Sequence, residues 1–325
     1  MPKGTKFIRR GGTGFTIIEL LTVMSIIIIL ISILVPALNR VRIYSKKVAQ
    51  KGQFHEISKG LELYRNDHSD AYPDSGAVDS NGDGYCGAMK LCEALLGQDG
   101  MGFHPSSSFQ AQQTGTYLFN PYHCVPIEPT LYNDLLRVNL RGRTKYVDSE
   151  NIRATPLQYL YAWDISAGVP FYPPPTGTGT FKNTMPDYPD SVIGDVFLRA
   201  SIQGGTLGCP ERAGQKVGMP VLYYKADPSK LNHDVITEPA AGTPNTNIYN
   251  FDDNRAITKL GCPWEPDIDT VHHPIFDDPR VFLNAITNTK VTATPRPHNE
   301  DGYILMSAGW DGLYGTRDDV FNFAD

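Results

Sequence analysis

The chain has 325 residues, 41% of them hydrophobic, with 14 Phe and 17 Tyr, enough apolar material for one large or two ordinary domains. Its formal net charge of −6 argues against the concentrated basic surface that phosphate binding needs, so no nucleic acid is expected as a partner. Gly (30) and Pro (25) exceed ordinary usage without reaching a disordered composition, which points to a folded domain with many turns and long loops.

The first element is a basic leader (Lys3, Lys6, Arg9 and Arg10, no acid) running into an apolar stretch, Phe15 to Val35, whose one charged residue is Glu19. As a helix rising about 1.5 Å per residue, the stretch is about 31 Å long, enough to cross a bilayer core. An acid inside such a segment is costly in lipid and marks a functional position. A secretory signal would be cut at Val35-Pro36-Ala37, though the apolar run is longer than such signals use. A plain single-pass anchor fits the length and leaves Glu19 unexplained. Charge does not set the orientation, because Arg40, Arg42, Lys46, Lys47 and Lys51 follow the span as densely as the leader basics precede it. Lipid head groups are the natural neighbours of that second cluster.

A third reading rests on Gly14-Phe15-Thr16-Ile17-Ile18-Glu19 and on Pro36. This arrangement resembles the class III signal of type IV pilins and type II secretion pseudopilins. The resemblance implies that a prepilin peptidase removes the leader, residues 1–14, and methylates the new N-terminal Phe15. It implies that Glu19 is the fifth mature residue and that Pro36 stands where pilin helices commonly carry a proline. It further implies a single-pass protein of the bacterial inner membrane, its C-terminal domain outside the cytoplasm, with 15–35 serving as transmembrane and filament-core helix. Pro36 removes the bond to the carbonyl of Ser32 and its ring crowds that turn, so the helix should bend there. In filaments of this family the stretch around the proline can melt, and a kink or local unwinding at 32–36 is expected.

Residues 36–67 continue the helix as an amphipathic segment. Val41, Tyr44, Val48, Phe54, Ile57, Leu61 and Tyr64 recur at mostly three- to four-residue steps, an apolar stripe against a charged face. Gly52 and Gly60 weaken it by about 1 kcal/mol each relative to Ala. Asn66 to Asp70 offers no apolar position and Pro73 stops any continuation. From Phe15 to about Asp67 the helix would be about 80 Å long. Leu61-Glu62-Leu63-Tyr64 through Asp67 to Tyr72-Pro73 also resembles the helix exit of major pseudopilins.

Residues 68–300 read as a loop-rich globular head with helices at 87–97, 130–138 and 278–288 and strands at 157–163, 219–226 and 302–308. Pro173-Pro174-Pro175 and the Thr-Gly repeats after it form an exposed loop or a connection between lobes. The expected fold class is α+β: a long N-terminal helix packed on a small antiparallel sheet, with a large loop-rich insertion. Of five cysteines, Cys209 and Cys262 share a Gly-Cys-Pro context and are the first candidate disulfide pair. Cys86 with Cys92 is the second, and five buried reduced thiols are the alternative.

The C-terminal segment, 301–325, is a strand followed by a tight loop with Asp311, Asp318 and Asp319 close together in sequence. Like charges crowded in a turn repel, and a hard cation relieves them; calcium takes six to eight oxygens from carboxylates, hydroxyls and carbonyls. Glycines let such a backbone curl its carbonyls inward. A solvated acidic hairpin is the alternative. The segment resembles the calcium loop of the major pseudopilin of type II secretion. That resemblance implies calcium held by the Asp311 and Asp318 side chains and the Ala308 carbonyl, with Thr316 and Asp319 as further contributors. A second acidic loop, Asp79, Asn81 and Asp83 with Gly84, matches the first half of an EF-hand, but Lys90 replaces its terminal Glu. A calcium site or a plain Asx/Gly turn both fit.

His272-His273 with Asp277-Asp278 lacks any metal-enzyme spacing, and there is no Gly-x-Ser-x-Gly, phosphate-cradling loop or dinucleotide fingerprint. The expectation is therefore a non-enzymatic filament subunit that pairs with copies of itself, with other pseudopilins, with the prepilin peptidase and with an inner-membrane assembly platform. It would form a periplasmic or surface filament, most readily in type II protein secretion. A surface type IV pilin subunit and a membrane-anchored extracytoplasmic binding module are the alternatives.

Overall fold

The computed structural model describes residues 16–77, 85–97, 100, 102–103, 109, 143–148, 152–161, 191–202, 212–236, 245–264, 272–291 and 294–323. The chain divides into two compact units, Met1–Ser45 and Lys46–Asp325. Helix α1 spans Ile17–Asp67 and is helical throughout, Pro36 included. In the first unit its large apolar side chains from Ile17 to Val35 are all exposed by at least 46%. The helix is long and apolar enough to cross a membrane by length and composition.

In the second unit, the remainder of α1 is an amphipathic helix that buries Gln50, Phe54, Ile57, Gly60, Leu61 and Tyr64. The expected apolar stripe is therefore shorter than its sequence pattern. Val48 stays exposed at 54%, as do Val41 and Tyr44 of the first unit at 59% and 71%. At 3.6 residues per turn Val48 points opposite to Ile57, so the two cannot share one buried face. Gly60 has a packing reason, since a Cβ there would lie 2.4 Å from Val147 Cγ2 and 2.9 Å from Leu95 Cδ2. Gly52 has none, with open space around it.

The head continues with α2 (Gly87–Leu96), β1 (Ala154–Pro156), a helical turn α3 (Leu157–Leu160), β2 (Ser191–Ile193), β3 (Ala200–Ser201), β4 (Lys216–Val217) and β5 (Leu222–Lys225). A 3₁₀ turn (Phe251–Asn254), α4 (Arg255–Lys259), α5 (Pro274–Asp277), α6 (Pro279–Ile286), β6 (Tyr303–Ser307) and β7 (Val320–Phe321) complete it. The largest sheet among the described residues is β5-β6-β7, fully antiparallel, with Tyr223 opposite Leu305 and Ser307 opposite Val320. β1 pairs with β2 and β3 with β4, also antiparallel.

Side-chain alternation gives the sheet two buried faces. Tyr223, Tyr303 and Leu305 share one cluster with Phe54, Ile57, Leu61 and Tyr64 of α1 and with Leu91 and Leu95 of α2. Leu222, Tyr224, Ile304 and Met306 face the other cluster, with Phe282, Leu283 and Ile286 of α6. Each fully buried large apolar side chain contributes about 1.5–3 kcal/mol, so the docked part of α1 is held mainly by four residues.

The helix expected at 87–97 ends one residue earlier, where Gly97 takes φ 78°. The helix expected at 278–288 starts after Asp278, which caps it by accepting the Arg280 N–H, with Pro279 as first residue. The strands expected at 219–226 and 302–308 are present in shortened form as β5 and β6. The strand expected at 157–163 is not: Leu157–Leu160 is a helical turn, entered from Pro156, and its described members Leu157, Tyr159 and Leu160 are all buried. That burial removes the two-face logic on which period-two reasoning depends. The helix expected at 130–138 and the Pro173–Pro175 loop lie outside the described residues.

Candidate functional site

At the start of α1, the Thr16 hydroxyl accepts the Glu19 N–H at 3.3 Å, and the Thr16 N–H and hydroxyl donate to Glu19 Oε2 at 2.9 and 2.7 Å. This reciprocal arrangement is a capping box: each side chain satisfies a main-chain donor that the first turn leaves open. Thr16-Ile17-Ile18-Glu19 carries the corresponding Thr-x-x-Glu spacing. Gly14 and Phe15 lie outside the described residues.

The C-terminal loop follows β6 and returns through β7. Gly309 adopts φ 68°, and a Cβ there would meet the Asp318 carbonyl oxygen at 2.3 Å, so only glycine lets the two limbs of the loop close. Asp318 Oδ2 accepts the Asp311 N–H at 2.9 Å, and its Oδ1 accepts the Thr316 hydroxyl at 2.6 Å. Burial, with the neighbouring Asp318 charge, raises the pKa of Asp311. Burial works against the Asp318 anion too, but the Thr316 hydroxyl and the Asp311 N–H bring it below the ordinary carboxylate range. Asp319 accepts the Gly315 and Thr316 N–H groups on Oδ2 at 2.8 and 2.9 Å, and its Oδ1 is buried with no hydrogen-bond partner. Burial, then the Asp318 charge, pushes Asp319 up to about 8.

These are hard oxygen donors around uncompensated negative charge, the chemistry that a divalent cation relieves. Ala308 lies buried at the mouth of the same loop. The loop thus brings Asp311, Thr316 and Asp318 together, with one oxygen each of Asp318 and Asp319 turned to main-chain N–H groups. Among the described residues no group of three or more His, Cys, Asp or Glu side chains stands ready-made to hold a metal. Asp79, Asn81 and Asp83 fall outside the described residues.

The two histidines part company. His272 is half-buried and lies 3.2 Å from the exposed Asp277. His273 is wholly buried, its Nδ1 accepting the Tyr314 N–H at 3.2 Å, and burial depresses its pKa to about 3. A neutral imidazole of this kind braces the C-terminal loop. Cys262 is buried, and Cys209 is outside the described residues. Cys86 and Cys92 are separate buried thiols rather than the second candidate pair, and burial raises Cys86 to about 11. Set at the N-cap and within the same short helix, they point apart.

Two polar networks in the head were not foreseen. Lys90 of α2, with 1% of its side chain exposed, donates to Asp74 at 2.5 Å and to the Gly76 carbonyl at 2.7 Å. Beside it Asp253 is buried, accepts the Ser75 hydroxyl and the Asn250 amide, and is pushed by burial to about 8. The second network joins α1 to the segment after β2 through Lys46, Gln50, Gln53 and Asp195. Charged and amide residues on an exposed-looking helix face give no warning of such partners, which lie more than 140 positions away.

No protein family, curated protein or solved structure matches the chain.

Proposed function

We propose that this chain is a structural subunit of a type IV pilin-like filament, most readily the pseudopilin filament of type II protein secretion. A prepilin peptidase would remove residues 1–14, and the mature chain would be drawn from the inner membrane by an assembly platform to join copies of itself and other pseudopilins. The observation that carries the reading is a single helix, Ile17–Asp67, whose start is exposed apolar surface with Glu19 as its one acid and whose end is docked in a folded head. Exposed apolar surface on that scale needs either lipid or neighbouring helices.

In the single chain Glu19 is satisfied by Thr16. In a filament the freed amino group of Phe15 on a neighbouring subunit would take over that carboxylate. Desolvation offsets most of such a pair's attraction, so its value is register: a misplaced subunit leaves one charge buried alone at a cost of several kcal/mol. Calcium would be held by Asp311 and Asp318 with main-chain oxygen such as that of Ala308, and Thr316 and Asp319 would support the loop. Its contribution is to hold that loop closed.

The test separates register from capping. If Glu19 only caps α1, Thr16→Ala and Glu19→Ala should impair filament assembly alike. The proposed role requires Glu19→Ala to be processed normally yet lower filament yield at least tenfold, with Thr16→Ala close to wild type. Normal yield from Glu19→Ala contradicts it.

A further inference from the structure

Leu198 and Trp264 are large apolar residues of the head left in solvent, at 38% and 41% exposure, and one surface joins them. Arg199, next in the chain after Leu198, holds its guanidinium carbon 5.6 Å from the centre of the Trp264 ring. That ring lies over the C-terminal loop at Gly312, where a Cβ would come within 2.4 Å of Trp264 Cη2 and 3.4 Å of Arg199 Cβ. On the other side of Leu198, the Phe197 carbonyl accepts Lys46 Nζ at 2.7 Å. The same ammonium stands 5.5 Å from the centre of the half-buried Trp310 ring. Lys46 is the first residue of the head unit.

The surface therefore holds two tryptophan rings, each under a cation, with a leucine beside them. Leu198 sits at φ 57°. An exposed position in the left-handed region favours Gly or Asn, so a branched apolar side chain there points to a contact outside the chain. Tryptophan paired with Arg or Lys suits a membrane interface: the indole lies at head-group depth with its N–H wet, and the cation meets lipid phosphate. The covalent tether favours the same partner. Ten residues, 36–45, separate Lys46 from the apolar stretch, and Arg40 and Arg42 lie among them. A membrane held by so short a tether is presented at high effective concentration, so a small patch suffices. The acids of the C-terminal loop are turned to its own main chain. Asp311 accepts the Leu313 N–H, Asp318 the Asp311 N–H and Asp319 the Gly315 N–H.

We propose that Lys46, Leu198, Arg199, Trp264 and Trp310 form a face with which the head rests on anionic lipid head groups. The docking rests on the reading of α1 as a membrane span, and it needs neither calcium nor a filament.

Depth-dependent fluorescence quenching on the mature full-length chain in nanodiscs, at fixed calcium, tests this. Trp163→Phe with Trp310→Phe leaves Trp264 as the one tryptophan and keeps an aromatic ring under Lys46. In discs containing phosphatidylglycerol, a nitroxide on the lipid head group should quench Trp264, and a nitroxide deep in the acyl chain should not. Arg199→Ala should lower the docked-to-free ratio about fivefold, the effect of one cation at an anionic surface. Discs of phosphatidylcholine alone should lower it further, and Leu198→Gly, which suits the positive φ, should weaken docking as well. Ile27→Trp, in a chain whose other tryptophans are replaced by Phe, reports the span itself and should be quenched by the deep nitroxide. Quenching there with none at Trp264, as a second copy covering the face would give, overturns the docking alone. Absence of quenching at both positions sinks the span and the docking together. Quenching of Trp264 that ignores both lipid charge and Arg199→Ala would also overturn the proposal.

Discussion

The two halves of α1 obey the same local rules and meet opposite fates. Ile17 to Val35 is almost uniformly apolar and leaves its large side chains exposed, whereas the docked residues 46–67 mix Lys, Gln, Glu and Gly with apolar residues and bury a narrow face. Hydrophobicity alone would assign burial the other way round. What decides is the available partner. The docked half has the sheet face of Tyr223, Tyr303 and Leu305 to pack on, while the apolar half leaves its large side chains exposed. A helix apolar all round requires a surrounding solvent of its own kind, and one with a narrow stripe requires a single surface.

The sharpest break of this comparison is a truncation on each side. Phe54→Ala should cost about 3–5 kcal/mol of head stability by chemical denaturation. Ile27→Ala should leave that stability unchanged, and a comparable loss from Ile27→Ala would show that the halves are not energetically separate.

Acidity separates them next. Asp253 in the head has its carboxyl raised by burial to about 8, above the unfolded value of about 3.9. A raised acid stabilises the fold fully below the unfolded pKa and loses that contribution as pH climbs through the folded pKa. Head stability should therefore decline between about pH 4 and pH 8, by up to about 1.4 kcal/mol per unit from this group. Asp253→Asn should flatten the decline, and an equally steep decline in that variant would remove Asp253 as its cause.

The two glycines refine the picture at a finer scale. Gly60→Ala drives a methyl into Val147 and Leu95 and should cost about 1–3 kcal/mol. Gly52→Ala meets nothing and should add about 1 kcal/mol from helix propensity alone. Matching signs for the two would mean that α1 is not docked where the burial pattern puts it. In the C-terminal loop, calcium chelation should lower the melting temperature of the wild type, and Asp311→Ala should abolish that response. An unchanged wild-type melting temperature on chelation would count against a bound cation.

Much of the architecture was legible. The helix from the apolar run to Asp67, the Pro73 stop, α2, α6, β5 and β6 all followed from periodicity and from Pro or Gly punctuation, which act locally. Two features escaped for opposite reasons. Leu157–Leu160 mimicked a strand because its described residues face core on every side. Val41, Tyr44 and Val48 mimicked a buried stripe because apolar spacing says nothing about which face finds a partner. At the sites, the acidic C-terminal loop was visible as crowded carboxylates. The hydrogen-bond network at Asp195 was not, since Asp195, Ser307 and Met219 are ordinary residues until the fold joins them.

The central claim is a cut between Gly14 and Phe15 that frees the exposed helix to assemble. Intact mass and N-terminal sequencing of the protein recovered from its native membrane test it most directly. The account predicts a chain that begins at an N-methylated Phe15 and retains Ile17–Val35. A leader still attached, or loss of the whole apolar span, would contradict it.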